Sequence, residues 1–163
     1  MRSLQFRLAR PDDAPRLEDI RRAAFAPVFA SFRAVLGDDV YELAQRREDE
    51  AQGALLTSLM AAGSIWEVYV AVVGDAVAGF VAVRLDRETL VGEIGLNAVA
   101  PEHAGKGVGT AMYEFAVEHM KRAGMKVATV STGADASHAP ARRAYRKAGF
   151  DVEFPSVWMC RKL

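Results

Sequence analysis

The chain has 163 residues and a mass of 17.7 kDa, which fits one domain with its own core. Its 21 Lys and Arg balance its 21 Asp and Glu, so it lacks the basic excess that favours nucleic acid or an anionic membrane as partner. No apolar run reaches the ~20 residues of a membrane span, no secretory leader pattern precedes Leu4, and the single Cys160 can form no internal disulfide. These features predict a single cytoplasmic domain over residues 1–163.

The first part of the chain predicts one strand followed by helices. Residues 4–10 alternate apolar and polar side chains, which is the period of a strand. A helix is predicted from about residue 14, with Pro27 interrupting it. After a break at residues 37–39, the helical pattern continues to about Ala62.

The middle of the chain predicts a hairpin and a further strand. Two β-rich runs within residues 66–84 flank Gly74-Asp75, a turn pair typical of hairpins. The fourth strand is predicted over residues 90–99, where Glu93 and Asn97 share one face if the pleat is unbroken. A carboxylate within an apolar strand is costly unless it reaches water or a partner. Glu93 is therefore expected either at a cleft or in an ion pair.

A glycine-rich turn, residues 105–109, separates this strand from the next helix. Where side chains are missing, backbone N–H groups can approach a ligand closely, which is the geometry of a phosphate cradle. A Walker A loop would need Ser or Thr after Gly105-Lys106, and a dinucleotide fingerprint would place Gly where Thr110 or Met112 stands. Both of those motifs are excluded. A helix cap without a ligand is the alternative.

The last part of the chain predicts a crossover followed by a small helix. The helix after the glycine turn is expected to run to about Ala123. Its length suits the crossover between two parallel strands, so residues 126–132 are predicted to lie parallel to the fourth strand. A short helix is predicted over residues 139–148, and the last strands over about 151–154 and 157–161.

Two motifs resemble those of the GCN5-related N-acetyltransferase (GNAT) superfamily. The coenzyme A loop of that family, Arg/Gln-x-x-Gly-x-Gly/Ala, aligns with residues 104–109, where Ala104 replaces the leading Arg or Gln. Its Asn-x-x-Ala-x-x-Leu-Tyr-x-x-x-Gly-Phe motif aligns with residues 138–150, with His138 in the place of Asn and Ala144 in the place of Leu. Each motif alone is weak, but the order of elements extends the resemblance over nearly the whole chain.

The resemblance implies a mixed α/β, GNAT-like fold. Its twisted, mostly antiparallel central sheet would have about six or seven strands and about four helices, in the order β-α-α-β-β-β-α-β-α-β-β, with a parallel fourth and fifth strand that splay apart. It also implies an N-acetyltransferase with acetyl-CoA as co-substrate and no metal, in which an amine attacks the thioester directly. The acceptor would be a primary amine of a small molecule or peptide. A non-catalytic acyl-CoA-binding module is the alternative, and a homodimer is left open.

The resemblance also assigns ligand contacts. In the family, the amides of the glycine turn bind the pyrophosphate of acetyl-CoA, and main-chain groups at the end of the fourth strand bind its pantetheine arm. The implied cofactor-binding residues are Ala98, Val99, Ala100, Ala104, Gly105, Lys106, Gly107, Val108, Gly109, Thr110, His138, Arg142 and Tyr145. Guanidinium forks suit phosphate oxygens, which is the reason for including Arg142.

Two residues are candidates for proton transfer. The phenol of Tyr145, with an ordinary pKa of ~10, is protonated at neutral pH and can donate to a leaving thiolate; the alternative is a core tyrosine. Glu93 is the candidate base, acting directly or through water, and its alternative is an ion pair with an arginine. Residues 21–64 are expected to shape the acceptor pocket, although an aromatic triplet such as Phe25, Phe29 and Phe32 is more often core.

Overall fold

The structure, a computed structural model, describes residues 3–163. Its strands are β1 (Leu4–Leu8), β2 (Trp66–Val73), β3 (Ala76–Asp86), β4 (Val91–Val99) and β5 (Val127–Val130). Its α-helices are α1 (Ala14–Leu36), α2 (Asp38–Ala44), α3 (Arg46–Leu59), α4 (Val108–Arg122) and α5 (Ala139–Lys147). None of the helices in this part of the chain combines the length and apolarity needed to cross a membrane.

The five strands form one mixed sheet in the order β1-β2-β3-β4-β5. The first four are antiparallel neighbours, and β2 and β3 meet at the predicted turn, where Gly74 has a φ of +63° that favours glycine. Helix α4 carries the chain across one face, so that β5 lies parallel to β4. The mixed α/β class and the parallel last pair are thus confirmed.

Strands β4 and β5 separate partway along their length. Residues Val91–Ile94 of β4 pair with Val127–Val130, but the remainder of β4, up to Val99, pairs with β3 alone. The expected splay is therefore present. It leaves main-chain groups of residues 95–99 without a neighbouring strand on the β5 side.

Helices cover both faces of the sheet and bury a separate apolar cluster on each. The face under α4 and α5 buries Val81, Val83, Ile94, Met112, Tyr113 and Tyr145. The face under α1 and α3 buries Leu17, Ile20, Leu56, Phe80, Ala82 and Ala98. Full burial of such an aliphatic or aromatic side chain contributes roughly 1.5–3 kcal/mol. The two clusters hold the helices that flank the β4–β5 opening.

A β-bulge in β4 changes which side chains share a face. Val83 lies opposite Ile94, and Val81 lies opposite Asn97, so β4 has one residue more than β3 in this interval. The pleat is broken, and Glu93 and Asn97 point to opposite faces. Their expected common face, which assumed an unbroken pleat, is wrong. The ring of Trp66 occupies the space that a Cβ at Gly95 would need, at 2.5 Å, so glycine permits this packing.

Three helices, not two, precede β2. Helix α1 continues through Pro27, so the predicted interruption is wrong. Proline cannot donate to the carbonyl of Ala23 four residues earlier, but both residues are exposed, and water can take the place of that bond. Gln45, with φ −126° and ψ −39°, leaves the helical region and divides the expected second helix into α2 and α3.

The predicted strands at about 151–154 and 157–161 are absent from the described structure. Residues 151–163 form no regular element there, and the side chain of Phe154 is 96% exposed. The apolar residues of this segment carry β-propensity, but Pro155 between the two runs has no N–H to give to a ladder. The sheet therefore ends at β5, with five strands instead of six or seven.

Candidate active site

A cavity of about 850 Å³ lies at the opening between β4 and β5. Its walls come from both sides of the sheet, with α1 and α3 on one side, α4 and α5 on the other, and residues 93–99 of β4 between them. The residues predicted from sequence that line it are Glu93, Ala98, Val99, Ala104, Gly105, Gly107, Gly109, Thr110, His138 and Tyr145. The splay of two strands has thus brought residues from opposite faces to one cavity.

The glycine turn presents backbone amides to this cavity. Gly105 and Gly107 have φ angles of +72° and +83°, where a side chain would be strained. Gly107 is the N-cap of α4 and has no side chain to bind the first amides of the helix, which lack intrahelical acceptors. These amides also lie at the positive end of the helix dipole. The donor set fits a diphosphate, which is the group that acetyl-CoA would bring here.

Four of the predicted cofactor-binding residues do not line the cavity. Ala100 is buried and donates its N–H to Ala78 O at 2.8 Å, and Val108 is buried in the core. The Nζ of Lys106 donates to the carbonyl of Glu102 at 2.7 Å, which braces the turn. Arg142 donates from Nη1 to the carbonyls of two loop residues, Gly133 at 2.5 Å and Asp135 at 2.8 Å. Arg142 and Lys106 thus support the loops that border the cavity.

Tyr145 belongs to a hydrogen-bonded group that the sequence did not reveal. Its side chain is 6% exposed and lines the cavity. The Nδ2 of Asn97 donates to Tyr145 Oη at 3.0 Å and to Gly95 O at 2.9 Å, while Tyr113 Oη donates to Asn97 Oδ1 at 2.8 Å. A bond from Tyr145 to Asn97 Oδ1 would be longer, at 3.4 Å, and would compete with Tyr113. Tyr145 is therefore best placed as an acceptor, with its own proton free.

The protonation of Tyr145 follows from its surroundings. Burial raises the pKa of Tyr145 above its ordinary value, against the lowering effect of hydrogen bonds with Asn97 and Tyr113. Burial also raises the pKa of Tyr113, whose ring centroid lies 4.3 Å from that of Tyr145. Both phenols are consequently neutral at physiological pH.

Glu93 lines the cavity from the other face of the sheet. Its Oε2 accepts a hydrogen bond from Arg84 Nη2 at 2.6 Å, and the two residues are cross-strand neighbours. The Arg84 guanidinium also lies over the Trp66 ring, 5.6 Å from its centroid. The Glu93 side chain is 34% exposed. Both alternatives raised by the sequence are therefore met, because Glu93 is at a cleft and is paired.

His138 is fixed by the loop before α5. Its Nδ1 donates to Asp135 Oδ1 at 2.6 Å, and its ring lies 5.9 Å from that of Phe32 on α1. Asp135 also accepts the backbone N–H of Ser137 at 3.0 Å. Burial alone would raise the pKa of Asp135, but hydrogen bonds from Ser137 and His138 outweigh it and lower this pKa to about 2. Asp135 therefore remains charged and holds the His138 ring at the cavity.

Solved structures of acetyltransferases have the same fold. A GNAT family acetyltransferase from Brucella melitensis in complex with acetyl-CoA aligns with a TM-score of 0.65 at 20% identity, over 93% of this chain and 85% of its own. The PaiA N-acetyltransferase from Thermoplasma acidophilum in complex with coenzyme A aligns with a TM-score of 0.71 at 18% identity, over 94% and 93%. The fold is thus that of the GNAT class.

Sequence comparison gives the family. The model of the acetyltransferase (GNAT) family matches residues 31–150. The uncharacterized N-acetyltransferase YsnE of Bacillus subtilis (strain 168) is 31% identical in an alignment of 109 positions that covers 61% of this chain and 68% of that protein. The chain belongs to the GNAT acetyltransferase family. It is accordingly an acyltransferase of the N-acetyltransferase type, with acetyl-CoA as the acyl donor.

Proposed function

We propose that the protein transfers the acetyl group of acetyl-CoA to a primary amine of a small molecule or peptide, by direct attack of the amine on the thioester. The observation that carries this proposal is the single cavity at the β4–β5 opening. It joins the amide turn at the start of α4, the phenol of Tyr145 and the carboxylate of Glu93. A binding site for a diphosphate, a general acid and a candidate base thus border the same cavity.

The chain provides two kinds of main-chain contact for the donor. The first amides of α4 that face the cavity, at Gly109 and Thr110, bind the pyrophosphate. The end of β4, where β5 has turned away, binds the pantetheine arm as an added strand would. A backbone N–H at about Val99 then polarises the thioester carbonyl as negative charge develops on its oxygen.

Proton transfers accompany the change of bonds. As the amine nitrogen forms its bond to the carbonyl carbon and the C–S bond breaks, the amine must lose one proton and the thiolate must gain one. Glu93, directly or through a water, takes the first proton, and Tyr145 donates the second. The amide of Asn97 already donates to Tyr145 Oη, at 3.0 Å, and so leaves the phenol proton available. Tyr113 orients that amide by donating to Asn97 Oδ1.

One observation supports a second candidate, a module that binds acyl-CoA without catalysis. The carboxylate of Glu93 already accepts a hydrogen bond from Arg84 at 2.6 Å, so one of its two oxygens is occupied by a partner. Ala104 also lacks the side chain that the family pattern provides in that position.

Thiol release and calorimetry distinguish the two candidates. An acetyltransferase should bind acetyl-CoA with measurable heat and release free thiol only when a suitable amine is added. Binding without thiol release across a broad amine panel would favour the module. A protein that shows neither binding nor release would contradict both candidates.

Replacing Glu93 with Gln should reduce activity most at low pH. Most acceptor amine is then protonated and depends on a base, so we expect a loss of about 100-fold below pH 7 that shrinks as the pH rises toward the amine pKa of ~10. The measurement is kcat/KM as a function of pH. Glu67→Gln is the matched control, because Glu67 pairs with His119 at 2.7 Å outside the cavity lining. A pH–rate profile for Glu93→Gln that parallels the wild type would contradict the role of base.

A further inference from the structure

The side of the cavity formed by α1 and α3 is uncharged. We call it the acceptor wall, and its members are Ala23, Ala24, Phe25, Pro27, Val28, Gln52 and Leu55. All but one of these side chains are apolar, and the exception is a neutral amide. A surface of this kind gains from contact with hydrocarbon and offers nothing to a second or third cationic group.

The charges elsewhere along the cavity point in the same direction. Among the described residues that line it, Glu93 is the one carboxylate, and Arg84 already engages it at 2.6 Å. The other titratable lining residues, apart from the phenols, are His103, His138, Arg143 and Lys147, none of which carries negative charge. A polyamine or an aminoglycoside would bring several ammonium groups into a site whose lining has one carboxylate, already paired, to receive them.

A buried hydrogen-bond acceptor on this side suits a single amine. The Oε1 of Gln52 is buried and has no hydrogen-bond donor among the described residues. Gln52 also lines the cavity. Buried acceptors are normally satisfied, so a donor from a bound molecule would complete the hydrogen bonding here.

We infer that the acceptor is a monoamine with an apolar body, such as phenethylamine or hexylamine, whose hydrocarbon part lies against the acceptor wall and whose N–H groups bond to Gln52. The inference rests on the proposed function and narrows it to one substrate class. With the diphosphate at the amides of α4, the amine would approach the thioester from the α1 side of the cavity.

A panel of acceptors tests the inference through thiol release. With wild-type protein and saturating acetyl-CoA, kcat/KM for phenethylamine and hexylamine should exceed that for spermidine and kanamycin by at least about 10-fold. A peptide with a free N-terminus should also be the poorer acceptor. Equal or higher kcat/KM for spermidine, kanamycin or the peptide would overturn the inference while leaving the proposed function intact. If no amine released thiol, the proposed function itself would fail.

A matched pair of variants locates the specificity on the acceptor wall. Leu55→Asp places a carboxylate on the wall, and its 42% exposure makes the change tolerable to the fold. We expect kcat/KM to fall about 10-fold for phenethylamine and to rise for spermidine. Leu43→Asp is the control, because Leu43 is 90% exposed and does not line the cavity. If both variants kept the wild-type preference, the wall would not be the binding surface.

A change at Gln52 tests the polar contact separately. Gln52→Met keeps the length of the side chain and removes its hydrogen-bonding groups, so KM for phenethylamine should rise about 10-fold while KM for acetyl-CoA stays constant. An unchanged KM for the amine would remove Gln52 from the inference. An equal rise for both substrates would indicate a structural effect and would equally contradict the assigned contact.

Discussion

Replacing Tyr145 with Phe is expected to lower kcat about 10²- to 10³-fold while the Kd for acetyl-CoA changes by less than about threefold. The substitution keeps the ring, which packs against Tyr113 at 4.3 Å and Phe150 at 5.9 Å between centroids, and removes only the hydroxyl. Asn97 keeps its bond to Gly95 O, and because Asn97 lines the cavity, water can accept the N–H that loses Tyr145 Oη. What disappears is the proton that neutralises the departing thiolate. Steady-state kinetics and calorimetry measure the two quantities independently.

Two controls separate acid catalysis from structural damage. Tyr69→Phe removes a phenol that donates to Glu67 at 2.7 Å outside the cavity lining, and it should leave kcat within about twofold. The pH dependence gives a second check, since burial raises the pKa of Tyr145 and the acid works in its protonated form. The wild-type kcat should therefore not fall on account of this group until the pH exceeds about 10. A Tyr145→Phe protein with wild-type kcat would eliminate the acid role.

Local sequence patterns were sufficient to predict most of the fold, because the conformation of these elements depends mainly on residues that are close together in the chain. Strand alternation, the Gly74-Asp75 turn and the length of α4 each depend on neighbours in the chain, and each predicted its element correctly. The parallel arrangement of β4 and β5 followed from the crossover helix alone. The glycine turn was recognisable because positive φ angles at Gly105 and Gly107 demand residues without a Cβ.

The hydrogen-bonded group around Tyr145 could not be predicted because it depends on contacts far apart in sequence. The bulge in β4 is set by its register against β3, and Gly95 accommodates the Trp66 ring of another strand. No sequence pattern within residues 90–99 predicts the bulge. Since the bulge decides which face Asn97 occupies, the hydrogen bonds of Asn97 with Tyr113 and Tyr145 could not be predicted either. The spacing of Glu93 and Asn97 predicted only that they would share a face if the pleat of the strand were unbroken.

The hydrogen-bond partners of the basic side chains near the cavity could not be predicted for a related reason. A sequence shows that Lys106 and Arg142 stand close to a predicted phosphate site, but not which acceptors each can reach. In the structure Lys106 donates to a carbonyl within its own loop, and Arg142, which lies on α5, donates to carbonyls of the loop before that helix. An arginine or lysine will bond to whichever acceptor its backbone position offers, and loop carbonyls are the nearest. The strands predicted in the C-terminal segment were wrong, since β-propensity alone does not supply a partner strand.

Replacing Thr110 with Asp is expected to weaken binding of coenzyme A about 100-fold, or about 3 kcal/mol, without destabilising the protein. Thr110 lies in the first turn of α4 and lines the cavity. A carboxylate in a first turn is favourable to the helix dipole by about 0.3–1 kcal/mol, so the unfolding temperature should hold or rise. The same carboxylate would lie beside the amides that bind the diphosphate and would repel it. Calorimetric titration with coenzyme A and a thermal melt give the two results.

The opposite signs of these two effects make the Thr110 variant informative. A substitution that merely damaged the fold would lower both stability and affinity, whereas charge repulsion at the helix terminus separates them. Thr110→Asn serves as the neutral isostere of Asp and should lose less than about fivefold in affinity. The deficit of Thr110→Asp should also shrink as salt rises from 0.01 to 1 M, because the Debye length falls from about 30 to 3 Å. If Thr110→Asp bound coenzyme A as tightly as the wild type at low salt, the diphosphate would have to bind away from the α4 amides, and the proposed alignment of the thioester with Tyr145 would lose its anchor.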